Sequence, residues 1–140
     1  MTTSINDEDK ALINAAKAAI SAHHKGESHK LITAMQTVEG NIHYGINIQL
    51  DHIRRASACA ESGAISSVVL AKETPNLSVT VYRDSGGTND IVIANPCGLC
   101  REMLANFYPD LDVIIDDGGN LRKSNSNEFL PFKYREEPSI

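Results

Sequence analysis

The chain has 140 residues, of which 41% are hydrophobic and 22% are charged, and its formal net charge is −5. This length fits one domain with a single core and excludes two packed domains, and the composition excludes a disordered or fibrous chain. The acidic balance argues against tight electrostatic binding to nucleic acid, so a small molecule is the expected partner. The apolar runs are far shorter than the roughly 20 residues of a membrane span, and the polar N-terminus is unlike a signal peptide. We therefore expect a cytoplasmic protein with no membrane partner.

The first half of the chain predicts two helices with a hairpin between them. Apolar residues recur at helical spacing over 7–23, without proline. Two apolar stretches, 31–38 and 42–48, flank a short glycine-containing turn and predict a β-hairpin. The alanine-rich stretch 56–72 predicts the second helix, which ends before Pro75.

The second half predicts short strands around one further helix. Strands are expected at 77–82, 91–93 and 111–115, with a weak last strand in the polar run that ends at 127. The helix is expected over 97–107, and the remaining features are a loop at 84–90, a turn at 116–120 and a short helix at 128–130. This order favours a mixed sheet sandwiched by helices. We expect one domain over 1–140, with flexible ends at 1–6 and 135–140.

The three cysteines carry the clearest chemical signal. Cys97 and Cys100 lie three positions apart at a predicted helix N-terminus, where the helix dipole and free amides favour thiolates. Such a pair alone is typical of a metal site, a redox dithiol or two buried thiols. Cys59 lies at the start of another predicted helix, and two helix starts can meet at the carboxyl ends of neighbouring strands. An odd number of cysteines also disfavours a disulfide framework.

Three thiolates leave a tetrahedral zinc ion with one vacant position, which indicates a catalytic site unless a histidine closes it. His43 and His52 are the alternative fourth ligands, and an open site is favoured over closure by either. Glu61 follows Cys59 by two residues, so its carboxylate is expected near the metal and is predicted to transfer protons. A glutamate at a helix start also fits the helix dipole alone, but the nearby cysteines make that the weaker interpretation.

The sequence Cys59-Ala60-Glu61, followed by Pro96-Cys97-Gly98-Leu99-Cys100-Arg101, resembles the zinc signature of the cytidine deaminase family. The segment Tyr44-Gly45-Ile46-Asn47-Ile48 resembles the sugar-binding strand of small cytidine deaminases, and Leu130-Pro131 resembles their C-terminal motif. The resemblance covers most of the chain. It implies an α/β fold, a three-layer α/β/α sandwich with a central mixed five-stranded sheet. It also implies a zinc-dependent hydrolytic deaminase that converts a cytidine-like pyrimidine nucleoside to the uridine-type product and ammonia.

The resemblance assigns roles to individual residues. The implied zinc ligands are Cys59, Cys97 and Cys100, and the implied proton shuttle is Glu61. The implied substrate contacts are Asn47 on the ribose, Gln49 at a second sugar position, the backbone amide of Ala60 on the base carbonyl, and His29 beside the base. Zinc is then the cofactor and a nucleoside is the partner, with no polynucleotide bound. The resemblance also implies a homo-oligomer, a tetramer.

The chain departs from the family pattern at substrate-contacting positions. Gln49 replaces the family's sugar-binding glutamate, and His29 replaces the base-packing phenylalanine. Ser62 replaces an arginine that offsets thiolate charge in many members, and Arg54 and Arg55 either take over that role or face solvent. Because blasticidin S deaminases lack the same glutamate and arginine, an enzyme acting on a cytosine nucleoside antibiotic or a modified cytidine is the alternative.

Two functions of other classes remain as outside alternatives. A dithiol redox protein would use Cys97 and Cys100 without needing Cys59 or Glu61. A non-catalytic zinc-binding module would need a fourth protein ligand. Both differ from a deaminase in that neither releases ammonia from a nucleoside.

Overall fold

The computed structural model describes residues 3–84, 86 and 90–134. Within this part of the chain, seven strands form one sheet and three α-helices flank it. The strands are β1 (Thr3–Ser4), β2 (Leu31–Thr37), β3 (Ile42–Ile46), β4 (Pro75–Arg83), β5 (Ile91–Ile93), β6 (Asp112–Asp117) and β7 (Asn120–Asn125). The helices are α1 (Asp7–His23), α2 (Ala60–Ala71) and α3 (Gly98–Phe107), with 3₁₀ turns at Arg54–Ala56 and Ser126–Phe129.

The sheet is mixed, and its order is β1-β7-β6-β4-β2-β3, with β5 also paired to β4. β4 and β6 run parallel, and the other paired strands are antiparallel. β4 is the central strand, because it pairs with β2 along most of its length and with β5 and β6 at opposite ends.

Helices cover both faces of the sheet. The core under α1 contains Leu12, Ala16, Ile20, Ile32 and Val79, and the core under α2 and α3 contains Met35, Ala64, Val68, Leu104 and Val113. Consecutive strand residues point to opposite faces, so Val79 packs towards α1 while Thr80 faces α2. This arrangement confirms the three-layer α/β/α sandwich.

The elements agree with the sequence prediction in most places, and the differences are local. α1 has the predicted bounds, whereas α2 begins at Ala60 because residues 54–56 form a separate 3₁₀ turn. Among the described residues the sheet contains the strands expected from the sequence, including β5 at the predicted 91–93, and also the short β1, so it has seven strands and not five. The expected flexible end at 1–6 is wrong in part, because Thr3–Ser4 pairs with β7 and Asn6 caps α1.

Some predictions fall on residues that the structure does not describe. The expected flexible end at 135–140 lies outside the described residues, as do residues 1–2 and parts of the predicted 84–90 loop. Within the described part of the chain, none of the helices combines the length and the apolar character needed to cross a membrane.

Candidate active site

The structure brings the three predicted metal-binding cysteines together. Cys59 is the N-cap residue of α2, Cys97 is the N-cap residue of α3, and Cys100 lies in the first turn of α3. Their Sγ atoms all lie within 4.8 Å of one another. The cluster therefore forms because two helices begin side by side, each with backbone amides directed out of its N-terminus.

The three thiols have different electrostatic surroundings. Burial raises the pKa of Cys100, and the nearby carboxylate of Glu61 raises it further. Burial also raises the pKa of Cys59. Burial acts in the same direction on Cys97, but hydrogen-bonding groups of Cys100 and the amide of Leu99 outweigh it, so the pKa of Cys97 is lowered. A cation among the sulfurs would offset the cost of ionising Cys59 and Cys100.

The donor set fits a metal ion that prefers sulfur. At a Zn–S distance of about 2.3 Å, tetrahedral geometry separates two sulfurs by about 3.8 Å, so these thiols need only a small closing movement. Among the described residues, neither predicted alternative ligand joins the cluster. His43 Nε2 lies 3.0 Å from Glu73 Oε1, and His52 is exposed on the 50–55 segment. The arrangement favours three protein ligands and one open position.

Glu61 lies beside the cluster with both carboxylate oxygens engaged. Its side chain is buried, and Oε2 accepts a hydrogen bond from the Cys100 thiol at 2.9 Å. Oε1 accepts a hydrogen bond from the Thr80 hydroxyl, also at 2.9 Å. The sequence predicted the position of Glu61 but not the role of Thr80. The sequence feature that indicates a role for Thr80 is the polar character of Ser78 and Thr80 on one face of an otherwise apolar strand.

A cavity of about 280 Å³ opens next to the cluster. This volume is near the lower end of the roughly 300–1,000 Å³ typical of small-molecule pockets. The cavity lining includes Asn47, Gln49, Cys59, Ala60, Glu61 and Cys97. Seven of the eight predicted site residues are thus accounted for by this cavity and by Cys100 directly behind it.

Asn47 is held in one orientation by its neighbours. Its Oδ1 accepts hydrogen bonds from the backbone N–H groups of Lys30 at 2.7 Å and Leu31 at 2.9 Å. The Nδ2 group is therefore the part of the amide left to donate into the cavity. An N–H donor at this position matches the predicted contact with a ribose hydroxyl oxygen.

His29 is the predicted site residue that the structure does not bring into this cavity. Its Nδ1 contacts the carbonyl oxygen of Asn47 at 2.8 Å. The His29 ring lines a separate cavity together with His23 and Tyr44. The contact beside the base that the resemblance implies for His29 stays a prediction, and in this structure the ring is held by the backbone of Asn47.

Gln49 and Ala60 lie in the cavity wall. Gln49 is partly buried, and it also lines a neighbouring cavity formed by the 50–53 segment. Ala60 is the first residue of α2, so its backbone N–H has no partner within the helix. Both residues therefore line the cavity, and their contacts with a substrate stay predictions.

The structure shows the surroundings of Ser62, which stands where the family has an arginine, and of Arg54 and Arg55. Ser62 Oγ donates a hydrogen bond to the carbonyl oxygen of Cys59 at 2.7 Å, which ties the ligand to the first turn of α2. Arg54 and Arg55 are exposed, which agrees with the solvated alternative.

Asn95 is a site-supporting residue that the sequence did not reveal. Its Nδ2 donates to the carbonyl oxygen of Asp116, and its Oδ1 accepts from the N–H of Asp116, both at 2.9 Å. These two bonds fix the backbone two residues before Cys97 against β6. In the sequence, the Asn-Pro dipeptide at 95–96 indicates only the boundary between a strand and the following helix.

Comparison with known proteins shows that this fold is the fold of the cytidine deaminases. The chain is 29% identical over 136 residues to blasticidin-S deaminase from Bacillus cereus, covering 95% of this chain and 96% of that protein. It superposes on the crystal structure of cytidine deaminase from Bacillus anthracis with a TM-score of 0.76 at 18% identity, covering 91% of this chain and 90% of that chain. Cytidine deaminase from Burkholderia pseudomallei gives a TM-score of 0.70 at 26% identity, covering 93% and 100%.

No protein-family model matches the chain. The full-length relative and the structural neighbours show that the chain is similar to cytidine deaminases and to a blasticidin-S deaminase over nearly its whole length.

Proposed function

We propose that the protein is a zinc-dependent hydrolytic deaminase that converts a cytidine-like pyrimidine nucleoside to the uridine-type product and ammonia. One observation carries this proposal: three clustered thiols and the buried carboxylate of Glu61 share one wall of a cavity that also contains Asn47. The named activities of the structural neighbours and the full-length relative support the same class of reaction.

The residues would hold the metal and move protons around it. Cys59, Cys97 and Cys100 would bind zinc, which when bound lowers the pKa of a coordinated water towards neutrality and so supplies a hydroxide nucleophile. Glu61 takes one water proton and delivers it to ring N3 as the C4–O bond forms. It then moves the proton of the new C4 hydroxyl to the amino nitrogen. The C4–N bond breaks, ammonia leaves and the C4 carbonyl remains, so atoms and protons balance.

The cavity offers donors in the positions that a cytosine nucleoside needs. The backbone N–H of Ala60 is free to donate to the carbonyl oxygen of the base. The Nδ2 group of Asn47 is free to donate to a ribose hydroxyl, because its Oδ1 is occupied by backbone amides. Gln49 places a neutral amide further along the same wall.

A second candidate substrate is blasticidin S or a similarly modified cytidine. The full-length relative named for this activity, at 29% identity, favours it. The neutral Gln49 also favours it, because a ribose hydroxyl would bind an amide less strongly than a carboxylate. The reaction at C4 would be the same for both substrates.

The test is ammonia release from zinc-loaded protein with cytidine, deoxycytidine, modified cytidines, blasticidin S and purine nucleosides, combined with zinc stoichiometry. We expect one zinc per chain and ammonia from cytosine nucleosides only. Bound zinc without ammonia would indicate a structural zinc module, and activity in thiol–disulfide exchange without zinc would indicate a redox protein.

We also propose that the active unit is a homo-oligomer, a tetramer. On α2, Val69 and Leu70 are 57% and 81% exposed, and Leu99 beside the metal-binding thiols is 72% exposed. A second chain packed against these side chains would remove their apolar surface from water. Light scattering should show an oligomer, and a fully active monomer would contradict this proposal.

We propose a cytoplasmic location from the chemistry of the three cysteines. The three cysteines are unpaired, and a site made of thiolates is kept intact by a reducing compartment. Cell fractionation tests this, and recovery of the protein outside the cytoplasm would contradict it.

A further inference from the structure

Two buried threonines form a hydrogen-bonded pair directly beneath Glu61. Thr33 on β2 and Thr80 on β4 are opposite each other in the antiparallel register, and both are buried on the sheet face under α2. Their Oγ1 atoms are 2.6 Å apart. The pair connects the centre of the sheet to the carboxylate proposed to transfer protons.

The direction of these hydrogen bonds follows from the number of protons available. The Thr80 hydroxyl has a single proton, and it donates that proton to Glu61 Oε1. Thr80 Oγ1 must then accept from Thr33, which donates its own hydroxyl proton. The result is a one-directional chain from Thr33 through Thr80 to Glu61.

This chain leaves the two oxygens of Glu61 with different tasks. Oε1 is bound from below by Thr80, while Oε2 is directed at the thiol cluster through Cys100. The terminal torsion of a glutamate is broad, so without a fixed donor on one oxygen the carboxylate can rotate. A misplacement of about 1 Å at a catalytic group can lower a rate about 100-fold.

We propose that Thr80, supported by Thr33, is a positioning residue that holds the Glu61 carboxylate so that Oε2 alone faces the reacting atoms. This inference rests on the proposed function, in which Glu61 transfers protons. Thr80 acts only through Glu61, since it is absent from the residues that line the cavity.

The variants Thr80→Val and Thr80→Ser separate the hydroxyl from the shape of the side chain. The Thr80→Val variant should have a zinc content and a KM near those of the original protein, and its kcat should be about 10- to 100-fold lower. Thr80→Ser keeps the hydroxyl and should restore kcat to within about fivefold of the original protein. Thr33→Val should lower kcat less than Thr80→Val, because Thr80 can still donate to Glu61.

Thr37→Val is the matched control. Like Thr80, Thr37 is a buried threonine whose hydroxyl donates to a carboxylate, that of Glu73 at 2.7 Å. Thr37 lies on β2 and is not part of the site. Removing its hydroxyl should lower stability and leave kcat unchanged. If Thr80→Val loses no more kcat than Thr37→Val, or if Thr80→Ser loses as much as Thr80→Val, the proposal is overturned.

Crystal structures of the Thr80 variants give a readout that does not depend on activity. The carboxylate of Glu61 should rotate in Thr80→Val and stay in place in Thr80→Ser. If the original protein deaminates no nucleoside, the proposed function fails, and these structures still decide the positioning role. An unmoved carboxylate in Thr80→Val would then overturn it.

Discussion

Gly45 on β3 lies so close to Ala60 on α2 that a Cβ atom at residue 45 would be 2.2 Å from the Ala60 carbonyl oxygen. The same atom would lie 2.2 Å from the amide nitrogen of Ala64. These neighbours are helix backbone and cannot rotate away. The strand therefore approaches the start of α2 only because residue 45 has no side chain, and this contact fixes the helix turn that follows Cys59.

Gly45→Ala should therefore lower the free energy of unfolding by at least about 2 kcal/mol, since β3 and α2 must separate. Zinc retention should fall with it. Gly98→Ala is the control, because a Cβ there meets no atom within 4 Å, and it should change stability by less than about 1 kcal/mol. Urea unfolding and metal analysis measure both effects. Equal stability of the two variants would show that the close approach does not constrain the fold.

Asn95→Ala should weaken zinc binding without touching a ligand. Loss of both bonds to Asp116 frees the backbone before Cys97, and removal of such supporting partners typically costs about 10- to 100-fold in metal affinity. Competition with a chromophoric chelator measures this. Asn106→Ala is the control, because among the described residues Asn106 bonds within α3, to Glu102. The same affinity in both variants would contradict a supporting role for Asn95.

Glu73 should make stability depend on pH. Hydrogen bonds from His43, Thr37 and Asn41 lower the pKa of Glu73 below its ordinary value of 4.5. A lowered pKa in the folded state stabilises the protein above the unfolded-state pKa, and that contribution is lost as the pH falls below 4.5 through the folded-state pKa. Glu73→Gln should lose less stability between pH 7 and pH 3 than the original protein, measured by urea unfolding. Identical losses would contradict the assignment.

Gln49→Glu tests how the sugar is recognised. A carboxylate would restore charge assistance to a ribose hydrogen bond, worth about 1 kcal/mol, so kcat/KM for cytidine should rise several-fold. The value for blasticidin S should rise less or fall. Measuring kcat/KM for cytidine and for blasticidin S with both proteins gives the ratio of the two values in each protein. An original protein that already prefers cytidine strongly, or an unchanged ratio, would count against this account of specificity.

The sequence predicted the helices and the longer strands because their signals are local. The bounds of α1 follow from apolar periodicity, and Pro96 marks the start of α3. β1 could not be predicted, because a two-residue strand has no periodicity and is defined only by its partner β7. The sequence predicted that the thiols of Cys97 and Cys100 lie together, because the two residues are three positions apart at one helix start.

The residues that support the site, Thr80 and Asn95, could not be predicted from the sequence in this way. Thr80 and Glu61 are 19 residues apart, and their contact depends on how α2 lies across β4. Asn95 and Asp116 meet only when the loop before α3 packs against β6. The contact of the His29 ring with the backbone of Asn47, 18 residues along the chain, could not be predicted for the same reason.

The most direct test of the central claim compares ammonia release by the zinc-loaded protein and by Glu61→Gln, with metal content measured in both. An amide cannot accept the water proton or pass it on, so the variant should keep one zinc per chain and lose at least about 100-fold in kcat. The original protein should release ammonia from a cytosine nucleoside. A near-normal rate in Glu61→Gln with zinc in place, or no ammonia from the zinc-loaded original protein, would contradict the account.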